Sequence, residues 1–170
     1  MESIVRIITD TPRLIVRHWH VQDLKAYGEL VGDDEVKDVD MLAEEPGSCA
    51  ENELWRYQTE QDKWGWSRWA VVSKDDHKLV GYCGFAPYGD DVELSWRFLP
   101  EYRGLGLVVE AADAIAQFGL NTLGFKRIIS FTSPQNEFAR DVMQHMGMTL
   151  DCLEGWSNCS VARFSLQASR

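Results

Sequence analysis

The ten residues Glu101-Tyr102-Arg103-Gly104-Leu105-Gly106-Leu107-Val108-Val109-Glu110 constrain this chain more than any other stretch. Before them, Val92-Glu93-Leu94-Ser95-Trp96-Arg97-Phe98 alternates apolar and polar residues with period two, as a strand does. From Leu105 onward, Leu105, Val108, Val109, Ala112 and Ala116 recur at helical spacing. A strand that runs through a glycine turn into a helix leaves several backbone NH groups without intrahelical partners, and the helix dipole adds partial positive charge where they converge. The pattern predicts an anion site. Gly104 and Gly106 would let the backbone approach a pyrophosphate with no Cβ in the way, and Arg103 would add a charge. A Gly-x-Gly turn also opens helices for packing alone, so the glycines by themselves leave both readings open. No Lys-Ser/Thr follows Gly106, which excludes a P-loop, and Val109 stands at the third glycine position of the dinucleotide fingerprint. A nucleotide of another kind is implied.

The rest of the chain supplies the surroundings of that turn. Strands are expected near 13–17, 68–73, 78–85 and 92–98, with helices over 21–31 and up to about Lys63. The turn signals Lys74-Asp75-Asp76 and Pro87-Tyr88-Gly89-Asp90-Asp91 are short enough for antiparallel hairpins. A helix over 104–120, a strand over 127–132, a helix over 136–146 and two strands near 149–153 and 160–166 complete the pattern. This is an α+β fold with a mixed sheet: hairpins first, then a strand-helix-strand crossover. With 170 residues and 45% hydrophobic composition, the chain suits a single domain over residues 1–170.

Composition excludes several classes. No stretch approaches the roughly 18 to 20 apolar residues of a membrane span, and Met1-Glu2-Ser3-Ile4-Val5-Arg6 lacks the basic start of a signal peptide, so a cytoplasmic protein with no membrane partner is expected. Cys49, Cys83, Cys152 and Cys159 form no Cys-x-x-Cys pair and read as reduced packing thiols. His18, His20, His77 and His145 show no ligand spacing, and no metal site is expected. The formal charge of −10 argues against a nucleic-acid partner. From Asp33 to Asp62, eleven acidic residues face only Lys37 and Arg56. That segment is either a solvated helical face or a rim that draws in a cationic amine.

Arg103-Gly104-Leu105-Gly106-Leu107-Val108 resembles the Arg/Gln-x-x-Gly-x-Gly/Ala signature with which GCN5-related N-acetyltransferases hold the pyrophosphate of acetyl-CoA, with Val108 where the family has Gly or Ala. The flanks agree in the family's order. Thr11-Pro12-Arg13-Leu14 resembles the start of the first strand, Lys78 to Gly84 the third strand, and Glu93-Leu94-Ser95-Trp96-Arg97 the fourth strand of the ribosomal-protein N-acetyltransferase-like branch. Asn136-Glu137-Phe138-Ala139 and Met146-Gly147-Met148 resemble the Asn-x-x-Ala/Ser helix and the closing Gly-Phe. The resemblance implies a sheet of about seven strands, mostly antiparallel and flanked by helices, with a bulged and splayed fourth strand.

The resemblance also implies chemistry. Acetyl-CoA would sit on Arg103, Gly104, Leu105, Gly106, Leu107 and Val108, with its pantetheine arm along the main-chain groups of Trp96 and Phe98 and beside Asn136. Asn136 is equally a favoured helix N-cap. Glu93 shares a strand face with Ser95 and Arg97 and is the candidate general base, or else an ion-pair partner of Arg97. Family positions that carry Tyr and Ser on the last helix hold Met143 and Ala139, so Asp151, Glu154, Ser157 or water would have to supply the acid. Trp64 and Trp66 share a strand face and either pack a core or wall a pocket for an ammonium group. The implied activity is acetyl transfer from acetyl-CoA to a primary amine, on a peptide N-terminus or a small molecule, by a monomer or homodimer that releases CoA. The alternatives are a non-catalytic acyl-CoA-binding or sensing module and an O- or longer-chain acyltransferase.

Overall fold

The computed structural model describes residues 6–32, 50–156 and 159–169, without side-chain detail at 153–156, 159 and 160. Eight strands form one sheet: β1 (Ile7–Asp10), β2 (Leu14–Arg17), β3 (Arg68–Ser73), β4 (Leu79–Tyr88), β5 (Asp91–Phe98), β6 (Arg127–Thr132), β7 (Thr149–Trp156) and β8 (Cys159–Gln167). Their spatial order is β1-β2-β3-β4-β5-β6-β8-β7. Every neighbouring pair is antiparallel except β5 with β6. Among the described residues the α-helices are α1 (Leu24–Gly32), α2 (Ala50–Trp64), α3 (Leu107–Asn121) and α4 (Glu137–His145).

The expected α+β order is present, with one strand more than the sequence pattern indicates. β1 is four residues long and outermost in the sheet, and its Ile-Ile-Thr-Asp sequence has no alternation to read. β4 and β5 run further toward each other than expected, so the turn between them shrinks to Gly89-Asp90, where Gly89 has a φ of 58°. α3 begins at Leu107 rather than Gly104, because Pro100–Tyr102 forms a separate 3-10 turn and both glycines lie in the loop between.

The two faces of the sheet are covered differently. α3 and α4 bury Leu107, Val108, Ala111, Ile115, Val142 and Met143 against Leu94, Phe98, Val80 and Ile128 in the main core. α1 and α2 cover the opposite face through a smaller cluster of Tyr27, Leu30, Tyr57 and Tyr82. Cys83 is fully buried in the main core, where burial pushes its thiol upward and leaves it a packing group. Among the described residues, no helix is long and apolar enough to cross a membrane.

Candidate functional site

The parallel pairing of β5 with β6 lasts for two residue pairs, Val92↔Ile128 and Glu93↔Ile129, and the strands then part. At the fork the Ser130 hydroxyl donates to the Leu94 carbonyl at 2.7 Å. The Leu99 NH donates to the Val80 carbonyl at 2.9 Å. Hydrogen-bonded pairs alternate along an antiparallel ladder, so the odd residues of β5 bond toward β4 while the main chains of Leu94, Trp96 and Phe98 turn toward the gap. The Phe98 carbonyl accepts from Arg103 Nε at 3.1 Å and Nη2 at 3.0 Å, which leaves its NH as the group facing the opening. Against β4, β5 keeps one register from Gly81↔Phe98 to Tyr88↔Asp91. The gap therefore comes from divergence of β5 and β6, not from the expected extra residue in the strand.

The gap widens into a cleft of about 520 Å³, within the usual size of a small-molecule site. Glu93 to Phe98 form one wall and Ser130 to Ser133 the other, with Phe138, Ala139 and Met143 of α4 above them. Arg103, Gly104 and Val108 close the end at the head of α3. There the backbone is left-handed at Gly104 (φ 75°) and Gly106 (φ 77°). A Cβ at 104 would meet nothing within 4 Å, and one at 106 would meet only Arg13 Nη2 at 3.3 Å. Glycine is required here by handedness rather than by crowding within the protein. Gly106 caps α3 with no side-chain hydrogen bond. The NH groups of Leu107, Val108 and Val109 come first in the helix and have no carbonyl four residues back to bond, so they remain available to an anion.

Behind the loop, Arg13 and Glu110 fasten the β1–β2 turn to the first turn of α3. Arg13 Nε meets Glu110 Oε2 at 2.7 Å, the Arg13 NH donates to Oε1 at 3.0 Å, and Thr11 Oγ1 donates to Oε1 at 2.6 Å. Arg13 Nη1 donates to the Leu105 carbonyl at 2.8 Å. Burial pushes the Glu110 carboxyl up, but the hydrogen bonds from Thr11 and Arg13 and the charge of Arg13 outweigh it and hold it below the usual range.

The remaining candidates separate. Glu93 lines the cleft at the last paired position of the fork, on the face of β5 that it shares with Ser95 and Arg97. Ser95 accepts from Arg68 Nε at 2.9 Å, and the buried Arg97 guanidinium lies 5.9 Å from the Tyr82 ring centre. Asn136 lines the cleft while its Oδ1 accepts from the Ala139 NH at 3.0 Å, so the N-cap and the cleft position coexist. Leu105, Gly106 and Leu107 belong to the loop and first turn without lining the cleft. Trp64 and Trp66 are not brought to it. They stack on each other at 5.2 Å, and Trp66 stands edge-on to Phe85 and Phe125.

Asp151 accepts from Ser165 at 2.7 Å and from Arg127 at 2.5 Å. Burial pushes its carboxyl up, but these bonds and the charges of Arg127 and Arg163 hold it low, which makes it a poor base. The Glu154 side chain and Ser157 lie outside the described residues, as does the acidic run from 33 to 49. Of the acidic residues that follow, Glu53 is buried and accepts from the Tyr27 hydroxyl at 2.5 Å, and Glu60 accepts from Ser67 at 2.8 Å, so both serve the packing of α2. The strand pattern alone did not single out Ser130, Thr132 or Ser133. Their hydroxyls sit where any polar residue of a half-buried strand would.

Residues 13–149 match the family model described as an acetyltransferase (GNAT) domain. The chain belongs to the GNAT acetyltransferase family. The uncharacterized N-acetyltransferase YnaD of Bacillus subtilis (strain 168) is 28% identical over 140 residues, which cover 81% of this chain and 80% of that protein. Among solved structures, the spermidine N-acetyltransferase of Vibrio cholerae in complex with CoA and spermine superposes with a TM-score of 0.79 at 16% identity, over 92% of this chain and 96% of the other. The ribosomal-protein-S5-alanine acetyltransferase of Vibrio fischeri superposes with a TM-score of 0.78 at 15% identity, over 97% of each. At such identities these two structures speak for the GNAT fold, and the family match makes this chain an acetyltransferase.

Proposed function

We propose that this GNAT member transfers an acetyl group from acetyl-CoA to a primary amine held in the same cleft, by direct attack in a ternary complex. The observation that carries the proposal is the fork between β5 and β6, opening beside helix-start amides that no side chain caps. The donor set fits the group. The amides of Leu107 and Val108 and the helix dipole suit a pyrophosphate, with Arg103, Gly104, Leu105 and Gly106 shaping the loop. The main-chain groups of Trp96 and the Phe98 NH would bond the arm as a neighbouring strand would, and Asn136 would offer its amide NH₂. Acetyl-CoA, when bound, supplies an activated thioester.

Glu93 would take the proton from the incoming amine; its position on the cleft wall where the strands part supports that role. A free α-amine, with an ordinary pKa near 8, needs little help, whereas a lysine-like amine near 10 needs a base or desolvation. The acceptor would approach over the face of β5 that carries Glu93, Ser95 and Arg97. Two named neighbours motivate both acceptor types, since one is a spermidine and the other a ribosomal-protein acetyltransferase.

A second reading, an acyl-CoA-binding module without turnover, is favoured by Ala139 and Met143, which line α4's side of the cleft without a hydroxyl. Thiol release from acetyl-CoA, assayed with peptides, polyamines, aminoglycosides and amino acids, tests the two. Steady acceptor-dependent release supports the transferase. Tight CoA binding with no release for any acceptor supports the binding module.

A further inference from the structure

The Arg13–Glu110 pair joins two segments 97 positions apart in the chain and touches the loop that opens α3. Arg13 divides its guanidinium, with Nε on the Glu110 carboxylate and Nη1 on the Leu105 carbonyl, the residue between the two left-handed glycines. Its third nitrogen, Nη2, lies where a Cβ on Gly106 would contact it. A loop held by glycines has many conformations open to it, and only one brings its amides together. Two bonds from one rigid, planar group select that conformation before any ligand arrives.

Charge adds a second effect. Glu110 lies in the first turn of α3, where its negative charge favours the helix but opposes an anion at the same end. Arg13 neutralises it at 2.7 Å. We infer that Arg13 is a positioning residue for the CoA loop, a latch that fixes the Leu105 carbonyl from behind and cancels the Glu110 charge, so that the amides at the head of α3 present a formed anion seat. The inference rests on the proposed use of that loop for the CoA pyrophosphate.

Arg13→Met keeps the long stem and removes both bonds and charge, while Arg13→Lys keeps the charge but cannot bridge Glu110 and Leu105 with a planar fork. Isothermal titration with CoA is expected to show affinity about tenfold weaker for Arg13→Met and several-fold weaker for Arg13→Lys, in keeping with the loss of charge-assisted bonds at a half-exposed site. The KM for acetyl-CoA should rise by the same factors, with kcat and the acceptor KM close to wild type. A role in stability alone would instead lower the melting temperature and leave the affinity of the folded protein unchanged. If both variants bind CoA like wild type, the latch is overturned. If Arg13→Lys alone is normal, the charge suffices and the bridging role is overturned. Failure of the wild-type protein to bind CoA would overturn the proposed function, and the latch with it.

Discussion

Ser130 on β6 donates its hydroxyl to the Leu94 carbonyl of β5 at 2.7 Å, just past the last backbone pair between the two strands. This bond replaces the ladder where the ladder ends. It satisfies a buried carbonyl that would otherwise face the opening, and so allows the strands to part without leaving that acceptor bare.

Ser130→Ala should therefore destabilise the fold. Ser130 is 2% exposed and Leu94 fully buried, so the variant removes a buried hydrogen bond and a loss of about 1–3 kcal/mol is expected. Chemical denaturation of wild type and variant measures it. A difference near zero would mean that the fork does not depend on this bond.

Gly106→Ala places a Cβ on a residue at a φ of 77°, a strain of about 1–2 kcal/mol that the unliganded loop relieves by giving up the conformation Arg13 holds through the Leu105 carbonyl. The bound loop has no such freedom. CoA affinity should fall about tenfold, and Gly104→Ala should do the same, while the melting temperature changes little. Unchanged affinity in both would remove the loop from the CoA site.

Glu93→Gln keeps the size and most hydrogen bonds but cannot accept the amine proton. Turnover should drop on the order of 10²-fold with CoA affinity nearly intact, and the acidic limb of the pH–rate profile should disappear. Near-normal turnover with the same profile would assign deprotonation to water. Asp151, held low by Ser165, Arg127 and Arg163, is a poor substitute.

Glu110 predicts a pH effect of definite sign. Despite its burial, its bonds to Thr11 and Arg13 hold its folded pKa below the ordinary 4.5, so the unfolded chain takes up this proton at a higher pH than the folded one. The stability it contributes is complete above about 4.5 and lost as the pH falls through the folded value. Melting temperature against pH should fall more steeply below 4.5 for wild type than for Glu110→Gln. Parallel curves would contradict this.

Much of the architecture was legible because it follows from local patterns. Period-two alternation located β5, helical spacing located α3, and Asn136 announced the start of α4. β1 escaped because four residues at the edge of a sheet carry no periodic signal. The loop glycines were legible as residues, and the structure adds one reason for them: both have left-handed backbone, while a Cβ at either would meet little of the protein itself. Trp64 and Trp66 show the limit of reading aromatics from sequence. Density and alternation predict a shared strand face, whereas Trp64 ends α2, Trp66 lies in the loop before β3, and the two stack with Trp66 edge-on to Phe85 and Phe125, away from the cleft. The Ser130–Leu94 and Arg13–Glu110 contacts join residues 36 and 97 positions apart, and no spacing rule reaches that far.

A crystal structure of the protein with CoA tests the central claim most directly. The account predicts pyrophosphate density within hydrogen-bonding distance of the amides of Leu107 and Val108, with the arm threaded between β5 and β6 against the Trp96 main chain and Glu93 facing the sulfur end. CoA bound elsewhere on the sheet, or a fork that stays empty at saturating CoA, would contradict it.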